Sequence, residues 1–478
     1  MTKAVFCAII IFISEYFLFS FTTFKMPAQT FKQFWKLGKP EFDTQFFDIN
    51  KDGELLVKEG NYQYNLHELA EKYGTSLEVA FPFIIENRVE TLINTFNFYI
   101  KKYKYKGKFY FHYPMKVNQN REFILPLITE GANLETASAN ELWIVKRLWE
   151  QHKFNSRIKV ICNGPKTDEY LGLIRELREQ GLDIVPIIEN HHEFESLRNY
   201  KGEVGIRVDL NFRTKSHWDH SVDRFGFTPE ELLASGKIRN LKILHYHVGS
   251  HIPHANDIIT ALKEGLSIYK KLKKVNPQLD TIDIGGGFDV NFEKKKMYSV
   301  QGVVQRIVNY LAKHTSPDGV APPHIICEWG SHIMAPSQVT IFKVLYEKNI
   351  KKGAAASKWY VIDGSFMNDL IDTWAIKQKW QVVPVNNMHS KKLERVWLCG
   401  SSCDSDDKYT GGSYVRLPKL EEGETQYVAF LDTGAYQDAL GSQHCLLSAP
   451  ANIVCKDGDI NVARAHENAE DVGKKFGW

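Results

Sequence analysis

The stretch Phe109-Tyr-Phe-His-Tyr-Pro-Met-Lys116 is an aromatic, apolar run that ends in a lysine. Its composition predicts a buried strand over Lys108–His112. Six further runs of this kind follow it: Lys159–Cys162, Ile184–Ile188, Gly205–Val208, Lys242–His247, Thr281–Ile284 and His324–Cys327. Amphipathic helical patterns lie between them, including Glu122–Thr129, Asn140–Trp149, Tyr170–Gln180 and Asp257–Lys274.

This alternation of strand and helix predicts a parallel sheet with crossover helices, an α/β fold. Seven or eight repeats within about 260 residues fit a (β/α)8 barrel of the TIM type better than an open sheet. Beyond residue 340 the helical pattern fades. Short runs there predict the strands of a second, β-rich domain: Val339–Tyr346, Lys358–Ile362, Val396–Cys399 and Tyr427–Leu431.

We therefore expect a C-terminal β domain over residues 341–478 and a barrel over residues 81–340. Residues 26–80 are expected to form an N-terminal hairpin and a segment that joins the β domain. Within them, Asp48-Ile-Asn50-Lys-Asp52-Gly53 followed by Glu59 has the spacing of an EF-hand calcium loop. The residues after Glu59 make a poor helix, which an EF-hand requires, so we favour a β-hairpin with strands Phe46–Ile49 and Glu54–Val57.

Composition limits the class of protein. The chain has 478 residues, 43% of them hydrophobic and 24% charged, which is typical of a globular protein with a large core. A net charge of +3 gives no excess of cations for binding nucleic acid. Seven cysteines stand at positions 7, 162, 327, 399, 403, 445 and 455 without a C-x-x-C pair. An odd number of scattered cysteines favours reduced intracellular thiols over a disulfide framework or a zinc site.

Residues 1–25 form an apolar leader, with Ala4–Ile13 as its longest apolar run. Glu15 interrupts that run before it is long enough to span a bilayer. One interpretation is an upstream mis-start or accessory leader, with Met26 as the true start and a cytoplasmic protein. The other is a working export or anchor signal.

Chemistry-bearing residues stand at the ends of four predicted strands. They are Lys116, the small-residue turn after His247, the glycines that follow Ile284, and Glu328. In a barrel, strand ends meet at the catalytic face, where a lysine can form a Schiff base with an aldehyde cofactor. Glycines let backbone N–H groups approach a phosphate. Each feature alone is weak evidence for a site, but all four stand at strand ends in chain order, as one site at the barrel mouth requires.

Several segments make a resemblance specific. They are Phe47–Val57, Tyr113–Gln119, Leu134–Leu142, Asp372–Gln378, Cys403–Asp406 and Thr433–Gly441. With them the chain resembles the alanine-racemase-fold pyridoxal-phosphate decarboxylases, the group of ornithine, diaminopimelate and arginine decarboxylases, and its arginine branch in particular. The resemblance implies decarboxylation of L-arginine to agmatine and CO2, which feeds polyamine and spermidine synthesis.

The resemblance also implies roles around pyridoxal 5'-phosphate. Lys116 would hold the cofactor as a Schiff base, Glu328 would pair with its ring nitrogen, and His247 would stack on its ring. Arg207 is expected at the phenolic oxygen or in a structural ion pair. The residues expected at the phosphate are Ser250, Gly285, Gly286, Gly287 and Tyr436.

For the substrate, the resemblance implies that Asp372 and Asp404 face its cationic end and that Cys403 protonates Cα after decarboxylation. In this family the cysteine enters the active site of a second subunit, which implies a head-to-tail homodimer or a higher oligomer of dimers. Magnesium is sometimes required in the arginine branch, but no cluster in the sequence assigns a metal site.

Two departures from the family pattern leave alternatives open. The usual Glu-x-Gly-Arg is Glu328-Trp-Gly-Ser331 here, which removes a phosphate contact and makes diaminopimelate a poorer substrate. The segment His444–Pro450 also differs from the arginine type. A decarboxylase for lysine, ornithine or diaminopimelate remains the alternative. A pyridoxal-phosphate carrier without enzymatic activity is a further one, although it would have no need of Cys403, Asp372 or Tyr436.

Overall fold

The computed structural model describes residues 28–151, 158–212, 214, 224–288, 290, 292, 298–315 and 319–478. The interpretations of residues 1–25 therefore lie outside the described residues. No helix in the described part of the chain combines the length and the apolar character needed to cross a bilayer.

The N-terminal part begins with helix α1 (Ala28–Phe34) and a three-stranded antiparallel sheet of β1 (Phe47–Ile49), β2 (Leu55–Glu59) and β3 (Tyr62–Asn65). The segment with EF-hand spacing forms the turn between β1 and β2, which pair antiparallel, so the hairpin prediction is confirmed. Asn50 Oδ1 accepts hydrogen bonds from the N–H groups of Asp52 and Glu54, both at 2.9 Å. This side-chain-to-backbone bonding is typical of a turn.

Eight parallel strands close into a barrel, as the alternation predicted. Before them come α2 (Leu66–Tyr73), β4 (Leu77–Ala80) and α3 (Pro82–Lys102). The barrel strands are β5 (Phe109–Pro114), β6 (Asn133–Thr136), β7 (Lys159–Cys162), β8 (Asp183–Ile188), β9 (Val204–Arg207), β10 (Leu241–His245), β11 (Thr281–Asp283) and β12 (His324–Cys327). The helices between them are α4 (Arg121–Thr129), α5 (Ala139–Glu150), α6 (Asp168–Glu179), α7 (His191–Ser196), α8 (Pro229–Ala234), α9 (Ala255–Val275) and α10 (Val300–Thr315).

Strand β6 is the barrel strand that the apolar pattern did not predict. Its sequence, Asn133-Leu-Glu-Thr136, holds one large apolar residue, and Glu135 in its middle is fully buried. With one large apolar residue in four, β6 lacks the apolar run by which buried strands are recognised.

The barrel interior and its outer face are filled by alternate residues of each strand. Ile161, Val185, Ile187, Ile243 and Ile326 form a buried cluster of their own, separate from the residues that pack under the helices. This cluster fills the inside of the barrel.

A β-rich C-terminal domain follows the barrel, so the predicted fold class is confirmed. Its ten-stranded sheet includes β4, which pairs with β13 and β20. The elements after the barrel are α11 (Gly330–Met334), β13 (Gln338–Asn349), β14 (Lys358–Ile362), α12 (Asp372–Ala375), β15 (Val382–Pro384), β16 (Leu393–Cys399), β17 (Lys408–Tyr409), β18 (Val415–Pro418), β19 (Tyr427–Phe430), β20 (Ala451–Lys456), β21 (Asp459–Arg464) and α13 (Ala469–Lys474).

Close packing in the barrel interior predicts the effect of one added methyl group. A Cβ at Gly205 would lie 2.3 Å from Ile187 Cδ1 and 3.2 Å from Ile243 Cβ. We expect Gly205→Ala to lower the free energy of unfolding by about 1–3 kcal/mol, because an overpacked core must shift. The lowered midpoint of urea unfolding, followed by tryptophan fluorescence, measures this effect.

The matched control is Gly172→Ala. Gly172 lies on the exposed face of α6, and an added Cβ there meets no atom within 4 Å. This variant is expected to keep or raise the unfolding midpoint, since alanine favours a helix by about 0.5–1 kcal/mol over glycine. Equal midpoints for Gly205→Ala and the unchanged protein would contradict the packing argument.

Candidate active site

One cavity of about 170 Å³ opens where the carboxyl ends of the barrel strands meet the β domain. Eight residues that the sequence singled out line it: Lys116, His247, Ser250, Gly286, Gly287, Glu328, Asp372 and Tyr436. The barrel contributes the first six, and the β domain contributes Asp372 and Tyr436. The cavity therefore combines an amine, two carboxylates, an imidazole and a phenol.

Lys116 lies in a short 3-10 turn, Met115–Val117, directly after β5. Its side chain is 46% exposed, and its Nζ lies 3.5 Å from Oε2 of the fully buried Glu135. Burial acts to lower the pKa of the lysine, but the charges of Glu135 and Glu328 raise it overall. The barrel thus holds this amine with two carboxylates from neighbouring strands.

Glu328 follows β12 and is nearly fully buried at the cavity wall. Asn163 Nδ2 donates a hydrogen bond to its Oε1 at 3.0 Å. Burial and the nearby Asp283 raise the pKa of Glu328. A buried carboxylate of this kind gains stability from a cationic partner in the cavity.

Glu328 also belongs to a buried group with His245 and Asp283, whose ligand atoms lie within 4.8 Å of one another. His245 Nδ1 is 3.1 Å from Asp283 Oδ2, and burial lowers the pKa of the histidine to about 4. Magnesium prefers an all-oxygen, octahedral site, so this histidine-containing group does not suit it.

The glycine turn after β11 lies against His247. Gly287 has a φ of +92°, and an added Cβ would be 2.2 Å from the carbonyl oxygen of Gly249, so the turn requires glycine there. Two of the three N–H groups already have acceptors. Gly285 donates to Asp283 Oδ1 at 2.9 Å, and Gly286 donates to His247 Nδ1 at 3.2 Å. The second bond fixes the His247 ring with Nδ1 as its acceptor nitrogen.

A loop of the β domain closes the cavity. The N–H of Tyr436 donates to the carbonyl of Val117 at 2.8 Å, and Asn118 Nδ2 donates to the carbonyl of Gly434 at 3.0 Å. Tyr436 has a φ of +68°. Both bonds join the β domain to the turn that carries Lys116, so the two halves of the cavity are held in one arrangement.

Asp372 begins the short helix α12 and is oriented by Gln437. Gln437 Nε2 donates to Asp372 Oδ2 at 2.7 Å, while its Oε1 accepts from the Asp372 N–H at 3.1 Å. Gln437 is 1% exposed. A buried amide that bonds both the backbone and the carboxylate fixes the direction of this acidic group.

Four residues with predicted roles do not line the cavity. Arg207 is an ion-pair partner of Glu189, with Nη1 3.4 Å from Oε1. Cys403 and Asp404 lie on the exposed loop between β16 and β17. Gly285 is at the turn but not on the cavity surface. The roles that the sequence gave all these residues stay predictions.

Sequence reasoning assigned no role to Glu135 or Gln437, although both lie in segments that carried the family resemblance. Position in the sequence could have indicated Glu135 but not Gln437. Glu135 is a carboxylate near a strand end, as Glu328 is, but its strand was not recognised. Gln437 directly follows Tyr436 and reveals its function only through its contact with Asp372.

Comparison with known proteins gives two adjoining family matches. Residues 89–335 match the pyridoxal-binding domain of the pyridoxal-dependent decarboxylases. Residues 333–434 match the C-terminal sheet domain of the same decarboxylases. The first match covers the barrel and the second covers most of the β domain.

Curated relatives include the biosynthetic arginine decarboxylase of Phocaeicola vulgatus, 25% identical over 90% of this chain and 86% of the relative. That of Bacteroides thetaiotaomicron is 23% identical over 84% of each. Among solved structures, the biosynthetic arginine decarboxylase of Campylobacter jejuni superposes with a TM-score of 0.78 at 21% identity, covering 92% of both chains. A diaminopimelate decarboxylase from M. jannaschii superposes with a TM-score of 0.77 at 22% identity, covering 92% of this chain and 98% of that one. At these identities the solved structures bear on the fold alone.

The cavity fits pyridoxal phosphate by the chemistry of its donors. Lys116 offers an amine for the aldehyde, and Glu328 offers a buried carboxylate for the ring nitrogen. At the Gly287 turn, a side chain would collide with the backbone. A group that brings a positively charged ring nitrogen would also compensate the buried charge of Glu328.

Removal of the Lys116 amine should separate covalent from non-covalent cofactor binding. We expect Lys116→Ala to lose the visible absorbance of the purified protein and the added cofactor mass after borohydride reduction, because no amine remains to bond the aldehyde. Lys116→Arg keeps the positive charge beside Glu135 and should lose both signals too. Retention of a borohydride-stable adduct in either variant would place the covalent bond at another lysine.

Proposed function

Because this chain belongs to the pyridoxal-dependent decarboxylases, we propose that it converts L-arginine to agmatine and CO2, a step that feeds polyamine synthesis. The observation that carries the choice of substrate is the oriented carboxylate of Asp372 in the same cavity as Lys116. The curated arginine decarboxylases that match most of the chain support the same choice.

When bound, pyridoxal phosphate supplies an electron sink for the electron pair left on Cα as CO2 departs. Lys116 Nζ would hold the aldehyde carbon. Glu328 would keep a proton on the ring nitrogen, and the imidazole of His247, oriented by the Gly286 N–H, would stack on the ring. Ser250, Gly287 and Tyr436 would hold the phosphate, and Arg207 would lie near the phenolic oxygen or remain the partner of Glu189.

Asp372 would bind the guanidinium of the substrate. A carboxylate can accept two parallel N–H bonds from a guanidinium, and Gln437 fixes the carboxylate direction that such a pair requires. Among the described residues that line the cavity there is no arginine, and Ser331 stands where the family usually has one. A distal carboxylate, as in diaminopimelate, would find no guanidinium there.

Cys403 would return a proton to Cα, with Asp404 beside it at the cationic end of the substrate. Both lie on an exposed loop outside the cavity of their own chain. A head-to-tail homodimer would bring this loop to the cavity of the second subunit. The neighbouring Cys445 raises the pKa of the Cys403 thiol. Even an ordinary thiol, with a pKa of about 8.5, is mostly protonated at neutral pH, so Cys403 can act as an acid with or without this neighbour.

Asp372→Asn should lower kcat/KM for arginine by roughly 30-fold or more, corresponding to about 2 kcal/mol lost when one partner of a desolvated charge pair is removed. The amide keeps the shape of the side chain, so visible cofactor absorbance should not change. Release of labelled CO2 from arginine, ornithine, lysine and diaminopimelate measures both the loss and the order of substrates.

Asp52→Asn is the matched control, because Asp52 is exposed, lies in the turn between β1 and β2 and does not line the cavity. It should keep the arginine kinetics of the unchanged protein. Higher activity on diaminopimelate than on arginine, or full arginine activity in Asp372→Asn, would refute the proposed substrate.

Mixing two inactive variants tests the shared site. Lys116→Ala and Cys403→Ala damage different halves of each site, so a mixed dimer has one intact site. After subunit exchange, we expect the mixture to regain up to about a quarter of the unchanged activity. Exchange is verified by mass spectrometry of differently tagged subunits. Mixed dimers without recovered activity would show that the cysteine serves its own chain.

A further inference from the structure

Two exposed cysteines from distant parts of the β domain lie side by side. The Sγ atoms of Cys403 and Cys445 are 3.6 Å apart. Of the six cysteines in the described part of the chain, these two are exposed, while Cys162, Cys327 and Cys455 are buried and Cys399 is half-buried. Within a single chain, these two thiols are therefore the most accessible of the described cysteines.

Buried side chains fix the two loops that carry these thiols. Asn368, which is 3% exposed, donates from Nδ2 to the carbonyl of His444 and accepts at Oδ1 from the His444 N–H, both at 3.0 Å. The buried Asp407 accepts from the N–H of Ser402 at 3.2 Å. His444 Nε2 also lies 3.8 Å from Asp404 Oδ2, so polar side chains of both loops meet beside the thiols.

We propose that Cys403 and Cys445 form a thiol–disulfide modification site, which small-molecule disulfides oxidise to an intrachain disulfide. The sulfurs need to approach by roughly 1.5 Å to reach the S–S bond length. Rotation of exposed side chains on two anchored loops accomplishes this without opening the fold. The effect on catalysis rests on the proposed function of Cys403 as proton donor.

The exchange proceeds in two balanced steps. The Cys445 thiolate attacks one sulfur of the small disulfide, whose S–S bond breaks and releases one small thiolate. The Cys403 thiolate then attacks the Cys445 sulfur and displaces the second small thiolate. The two protein sulfurs lose two electrons together, the small molecule gains them, and the two protein thiol protons end on the released thiols.

In the disulfide, Cys403 has no S–H proton to give. Proton transfer by a positioned side chain contributes roughly 100-fold or more to rate, so oxidation should lower arginine decarboxylation by at least that factor. Dithiothreitol should restore it. Cys445→Ser should have normal activity when reduced and should form no internal disulfide.

The test uses full-length holoenzyme incubated with oxidised glutathione, then digested with trypsin without reduction. Trypsin leaves Cys403 in peptide 396–408 together with Cys399, and Cys445 in peptide 420–456 together with Cys455. The matched control is therefore Cys399→Ser, in which the two peptides must still be linked. Linked peptides on a single chain, with dithiothreitol-reversible loss of activity, are the expected result.

Two glutathione adducts without linked peptides, or a link that persists in Cys445→Ser, would overturn the modification site. A link in the unchanged protein without loss of activity would overturn its effect on Cys403. If the reduced protein releases no CO2 from arginine, the proposed function fails, while the linked peptides still decide the modification site.

Discussion

The pairing of β12 with β5 is the constraint on which the site depends. Ile325 pairs with Phe109 and Cys327 with Phe111, in parallel, and this closes the barrel. The strands that these pairs join lie more than 200 residues apart in the sequence, yet closure brings Lys116 and Glu328 to the same mouth. Because all eight strands are parallel, every strand end with a functional side chain reaches this face.

Buried charged groups determine which ligands the mouth of the barrel can bind. Glu135, Glu328 and Asp283 are buried carboxyl groups, and Lys116 is a cation that lies beside them. Burial raises the pKa of each carboxyl group, which means that their charges are unfavourable without positive partners. A positive charge at the place where a ring nitrogen is proposed to bind would therefore stabilise the ionised forms of these carboxyl groups.

The sequence predicted the parts of the fold that apolar residues mark, and it failed where few of them are present. Seven barrel strands were found, even β11 with its buried Asp283, while β6 was not, because Leu134 is its one large apolar residue. The eight predicted residues that line the cavity stand at strand ends or in segments that resemble the family. Gln437 was missed because its contact with Asp372 spans 65 residues, and such a pairing exists only once the β domain has folded.

The location of the Asp372–Gln437 pair has a consequence for how this architecture diversifies. Both residues belong to the β domain, whereas the amine and the glycine turn belong to the barrel. The hydrogen bonds of Val117 and Asn118 to the loop at Tyr436 and Gly434 involve backbone groups of that loop, so they do not depend on its side chains. Under the proposed role of Asp372, substitutions in the β domain can change the preference for the side chain of the substrate while Lys116, Glu328 and the glycine turn of the barrel stay unchanged.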